Sequence, residues 1–150
     1  MSTSTLLPDH AWIAARIPHQ GSMCLLDAVL HWDADTIHCR ATSHTGRMNP
    51  LRAQDTLGIA NGIEYAAQAM AVHGALLAGR DTAPGAGYLT SVRDVRWQVP
   101  RLDTLQGPLQ VHAQRLSGDS NTILYSFHLE ADGRTVLSGR ASVMLDASAP

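Results

Sequence analysis

Lysine is absent from this 150-residue sequence: all 11 basic side chains are arginines. That absence rules out lysine Schiff-base catalysis and a P-loop lysine. Aromatic residues are scarce, 5% against 45% apolar residues overall, so a core has to be built from aliphatic and small side chains. A basic surface is missing too. The formal charge of −2 and a pI near 6.4 argue against nucleic-acid or anionic-membrane binding. Two cysteines, Cys24 and Cys39, cannot make a disulfide framework, and no basic n-region with an apolar run opens the chain. A reduced, cytoplasmic protein is the expectation. The longest apolar stretch, Leu57 to Ala78, is broken by Asn61, Glu64, Gln68 and His73, which argues against membrane insertion. No Gly-x-Ser-x-Gly nucleophile motif occurs.

What is present reads as one α+β domain over residues 1–150, with a long helix set among antiparallel strands. Asp9 to Arg16 predicts a short helix, closed by Ile17-Pro18. Met23 to Trp32 and Thr36 to Ser43 predict two strands joined at Asp33-Ala34-Asp35, followed by an irregular segment from His44 to Thr56. Gly58 to Ala78 predicts a helix stopped by Gly79. Four strands follow, at Gly87 to Val99, Pro108 to Ser117, Thr122 to Glu130 and Arg134 to Leu145, the last two joined by the hairpin signal Asp132-Gly133.

The helix carries the first chemical signal. It is apolar almost all round, as a helix enclosed by protein is, yet Asn61, Glu64, Tyr65 and Gln68 share a narrow stripe. A carboxylate on a buried helix costs several kcal/mol, roughly, to desolvate unless it is paired or partly wet. Glu64 either caps its own helix N-terminus or serves as a general acid whose proton is held by apolar surroundings. Eight histidines are available as partners. His10, His31, His38, His73, His112 and His128 stand singly, without the spacing of metal ligands, so no metal is expected. His19 and His44 lie in irregular chain, where functional side chains often sit.

The residues also carry a resemblance. Ile17-Pro18-His19-Gln20-Gly21-Ser22-Met23-Cys24-Leu25-Leu26-Asp27 resembles the opening motif of FabZ-type 3-hydroxyacyl-acyl-carrier-protein dehydratases, and Gly62-Ile63-Glu64-Tyr65-Ala66-Ala67-Gln68-Ala69-Met70-Ala71 resembles the central-helix motif that bears their catalytic glutamate. Asp94-Val95-Arg96-Trp97 and Pro100 resemble the strand that packs on that helix. Within this family the chain resembles the dehydratase-like subunits encoded with aryl-polyene biosynthesis genes. The resemblance implies a hotdog fold, in which a sheet wraps one helix and two protomers pair. It implies removal of water from 3-hydroxyacyl thioesters in fatty-acid or aryl-polyene type synthesis, with Glu64 as acid and a histidine as base. No cofactor is implied, because the substrate rides on the phosphopantetheine of an acyl carrier protein.

One departure matters. The family's Gly-His-Phe-Pro-Gly loop corresponds to Asn49-Pro50-Leu51-Arg52-Ala53-Gln54-Asp55-Thr56, which contains no histidine. The base therefore lies open between His19 and His44. Gly58, Asn61, Gly62 and Gln68 are the substrate-binding candidates, the glycines allowing close approach to N–H groups at the helix start. Arg47, Arg52 and Arg96, with Arg93 and Arg101 nearby, are the cations expected to dock an acidic carrier. Two alternatives stand beside this reading. The missing histidine makes credible a half-site or non-catalytic subunit that forms a heterodimer with an active FabZ-like subunit in place of a homodimer. A hotdog acyl-thioesterase would use the same helix carboxylate to activate water.

Overall fold

The computed structural model describes residues 7–17, 21–79, 87–119 and 121–145. Along the chain come helix α1 (His10–Arg16), strands β1 (Ala28–Trp32) and β2 (Thr36–Ala41), helix α2 (Gly62–Ala78), and strands β3 (Gly87–Trp97), β4 (Leu109–Gly118), β5 (Thr122–Ala131) and β6 (Arg134–Leu145). All the strand pairings are antiparallel, and the sheet runs in the order β1-β2-β4-β5-β6-β3. Among the described residues, no helix is long and apolar enough to cross a membrane.

Strict alternation turns this sheet into a two-sided layer. On β5, Ile123, Tyr125, Phe127, Leu129 and Ala131 are buried, and the residues between them are only half-buried. β2 and β4 repeat the pattern with Ile37, Cys39 and Ala41, and with Leu109, Val111 and Ala113. One face of the three strands packs on α2, whose buried residues include Tyr65, Ala66, Ala69, Met70, Val72 and Ala75. Small helix residues bring the sheet close. At Gly62 a Cβ would stand 2.6 Å from Leu137 Cδ2 and 3.1 Å from Leu129 Cδ2, so this position is used for helix-on-sheet packing. The helix ends where Gly79 takes a left-handed conformation (φ 63°), and the β5–β6 hairpin turns through Asp132 and Gly133, both at positive φ.

Two expected starts move furthest, each for a visible reason. β1 begins at Ala28, five residues later than the alternation suggested. The backbone of Met23 and Leu25 bonds the Gln68 side chain in place of a neighbouring strand. α2 begins at Gly62, after a single 3₁₀ turn at Ile59–Asn61. The preceding backbone is committed elsewhere: Ile59 N–H donates to Pro100 O, Leu102 N–H to Leu57 O, and Leu57 N–H to Asp103 Oδ1.

Both cysteines are buried, and Cys39, with no exposure, has its thiol pushed up to about 12 by burial. His73 is a satisfied core histidine. Its Nε2 lies 2.8 Å from the Asp33 carbonyl and its Nδ1 2.8 Å from the Tyr125 hydroxyl. A carbonyl only accepts, so Nε2 carries the proton and Nδ1 accepts from the tyrosine. Burial lowers the pKa of His73, and of His44 likewise. Between those lowered values and the ordinary unfolded value of about 6.5, the unfolded chain binds more protons than the folded one. Stability is therefore expected to be level above neutrality and to fall as pH drops below about 6.5. Urea unfolding midpoints measured across pH 5 to 8 check this; equal midpoints at both ends would contradict it.

Candidate active site

The polar stripe on α2 resolves into three differently employed side chains. Gln68 has no exposure and reaches chain far away in sequence: its Nε2 donates to Met23 O at 2.6 Å, and its Oε1 accepts from Leu25 N–H at 2.9 Å. The same amide nitrogen lies 3.4 Å from Glu64 Oε1, one helical turn back. Glu64 is half-buried in the first turn of α2, where the helix dipole favours a negative charge. Asn61 does not cap the helix with its side chain; its Nδ2 turns back to Gly58 O at 3.2 Å.

Tyr65 faces a separate buried relay. Ser43 Oγ donates to Leu25 O at 2.9 Å, so at its 2.8 Å contact with Tyr65 Oη it accepts. Asn49 Nδ2 completes the chain, donating to Tyr65 Oη at 3.0 Å and to Ser43 O at 3.0 Å. Burial raises the Tyr65 pKa, which keeps the phenol protonated as this relay requires. Leu25 is consequently pinned through its N–H by Gln68 and through its carbonyl by Ser43. Ser43 and Asn49 were absent from the sequence candidates. Their only signal was a position next to His44, at the end of an expected strand, and next to Pro50, in irregular chain.

The remaining candidates are dispersed. His44 is 1% exposed and its Nε2 sits 3.1 Å from Leu105 O. Burial lowers its pKa, opposed by the carbonyls of Leu105 and Gly107. His19 lies outside the described residues. Gly58 forms an antiparallel bridge with Arg101 and accepts from Asn61 N–H, while Gly62 faces Leu137 and Leu129. The cations divide clearly. Arg47, Arg93 and Arg96 are exposed. Arg52 spends its guanidinium on the carbonyls of Gly46 and Asp55 and lies 3.6 Å from Asp55 Oδ1, and Arg101 pairs with Asp103.

An antiparallel sheet wrapped over one central helix defines a hotdog-fold protein. Residues 11–149 match the family of ApeP dehydratases, and the chain belongs to that family. The dehydratase heterocomplex ApeI:P from Xenorhabdus doucetiae is similar in structure, with 24% identity, a TM-score of 0.77, and coverage of 89% of this chain and 90% of that one. A mutant thioesterase from Pseudomonas aeruginosa matches at 14% identity and a TM-score of 0.64, over 92% of this chain and 94% of that one. Zebra fish thioesterase superfamily member 2 matches at 12% identity and a TM-score of 0.62, over 91% and 93%. No curated protein matches the sequence.

Proposed function

We propose that this chain eliminates water from 3-hydroxyacyl thioesters carried on an acyl carrier protein, with Glu64 as the acid and His19 as the base. The observation that carries this reading is Gln68. It holds the backbone that follows His19 against α2 and reaches Glu64 with the same amide. The base removes the C2 proton, the electron pair forms the C2–C3 double bond, and the C3–O bond breaks as the carboxylic acid protonates the departing hydroxyl. The products are water and the 2-enoyl thioester. N–H groups in the first turn of α2, with the helix dipole behind them, stabilise the charge that develops on the thioester oxygen. No cofactor is needed beyond the carrier's phosphopantetheine arm. His44 is the weaker candidate because it is buried, at 1% exposure, and burial lowers its pKa.

The working unit is a heterodimer with a FabZ-like dehydratase subunit. A dehydratase heterocomplex is among the similar structures, and β3, an 11-residue strand, forms one edge of the sheet. Such an edge leaves backbone donors and acceptors for a second chain. Exposed Arg47, Arg93 and Arg96 then receive the acidic carrier. The deciding experiment incubates 3-hydroxyacyl-carrier substrate with this chain alone, with the FabZ-like subunit alone, and with both, following enoyl product and free thiol. Enoyl product formed by the pair, and lost when His19→Ala replaces the wild-type chain, is the expected result. Release of thiol without enoyl product makes the protein a thioesterase, and equal rates with and without this chain make it non-catalytic.

A further inference from the structure

The face of the sheet turned away from α2 carries a second cluster with no place in the acyl chemistry. His31, His38, His112 and His128 are successive cross-strand partners on β1, β2, β4 and β5, a row of four imidazoles. Their spacing in sequence shows no ligand motif; the strand register assembles them. His112 stacks between His38 (centroids 4.1 Å apart) and His128 (4.4 Å), and His38 Nε2 is held by Gln110 Oε1 at 2.6 Å. Glu130 follows His128 by two residues and so projects on the same side of β5. It is one of only two glutamates in the chain, the other being Glu64.

Three donors converge at the centre of this row. Glu130 Oε1 lies 3.4 Å from His112 Nε2, and Glu130 Oε2 lies 3.4 Å from His128 Nε2. One ligating atom from each residue falls within 4.8 Å of the others. A charge-assisted hydrogen bond is shorter, about 2.7–2.9 Å. Two ligands on one tetrahedral zinc-class ion, each about 2.0–2.2 Å from it, lie roughly 3.3–3.5 Å apart. Each histidine stands at such a distance from one Glu130 oxygen, His112 from Oε1 and His128 from Oε2. His112 Nε2 is shielded from solvent, and among the described residues it makes no well-formed hydrogen bond, with Glu130 Oε1 standing off at 3.4 Å. Beside the cluster runs a groove of about 380 Å³, lined in part by His38, Gln114 and Ser126.

We propose that His112, His128 and Glu130 form a binding site for a single divalent ion of the zinc class. Two imidazoles and a carboxylate suit Zn²⁺, Co²⁺ and Ni²⁺ better than the hard oxygen-seeking ions. The His112 and His128 rings now lie parallel, at 4°, so each turns about χ2 to aim its nitrogen at the ion; that torsion is soft, and the groove leaves room. Three protein ligands leave a fourth position for water or another donor. The bound ion ties β4 to β5 on the outer face, opposite the helix.

The test uses tag-free protein stripped with a chelator and titrated with Zn²⁺ by calorimetry and with Co²⁺ by visible absorption. One equivalent per chain is expected, with the intense visible bands of tetrahedral Co²⁺. His128→Ala and Glu130→Gln should each weaken binding by about a hundredfold or more, since losing even a group that only orients a ligand costs roughly 10–100-fold. His31→Gln, at the far end of the row, should leave affinity within about twofold, a near-neutral surface change. Circular dichroism of the metal-free variants checks that these outward-facing changes spare the fold. Absence of stoichiometric binding, or full affinity in His128→Ala or Glu130→Gln, overturns the site. So does loss of binding in His31→Gln alone.

Discussion

Glu64→Gln is expected to lower kcat for dehydration by roughly a hundredfold to ten-thousandfold, the range a positioned general acid contributes. The amide keeps the size of the carboxyl but has no proton to give a leaving hydroxyl. Its surroundings tolerate the exchange: Glu64 is half-buried, and its contact with Gln68 Nε2 at 3.4 Å survives with an amide oxygen as acceptor. Folding stability should accordingly change by less than about 1 kcal/mol. Activity is to be measured by enoyl formation with the proposed FabZ-like subunit present, and stability by urea unfolding of the variant. Activity within a few-fold of wild type removes Glu64 from the mechanism. A large loss of stability instead makes Glu64 a structural residue.

Gln68→Met should do the reverse, costing about 2–5 kcal/mol of stability before any catalytic effect is considered. Methionine preserves most of the volume, so the change isolates hydrogen bonding from cavity formation. It strands the Leu25 N–H and the Met23 carbonyl at a side chain with no exposure, and each buried unsatisfied group costs about 1–3 kcal/mol. Against a total stability of about 5–15 kcal/mol, that is a large fraction. The midpoint of urea unfolding reads the change directly. A shift under about 1 kcal/mol would mean that Gln68 does not anchor the chain after His19, and the observation carrying the proposed base would fall with it.

The contrast between these two helix neighbours shows what the sequence made legible. Local signals translated well. The alternation from Thr122 to Ala131 became β5, Asp132-Gly133 became its hairpin, and Gly79 stopped the helix at the expected place. The hotdog architecture and the dehydratase family were readable in the two motifs around Glu64 and His19. Long-range commitments were not readable. Gln68 stood on the polar stripe as a substrate-binding candidate, yet both of its polar atoms are taken by backbone more than 40 residues away. The same capture ended the strand expected from Met23, because a side chain 45 residues off supplies the partner that a neighbouring strand normally would. Ser43 and Asn49 escaped notice because their role depends on meeting Tyr65, which no spacing encodes. The histidine row needed one further level: parity on each strand is local, but strand register is not, and register alone aligns His112 with His128.

The two sequestered thiols have a practical consequence at the bench. Thiolate is the form that reacts with maleimides and disulfide probes, and Cys39 is both without exposure and pushed up to about 12, while Cys24 is buried with its thiol raised by burial. With no lysine in the sequence, side-chain amines are missing as competing nucleophiles as well. A single cysteine introduced at exposed Thr104 therefore becomes the one fast-reacting handle on an otherwise native chain. A fluorophore or spin label attached there tests the proposed carrier docking and subunit pairing without any need to build a cysteine-free background.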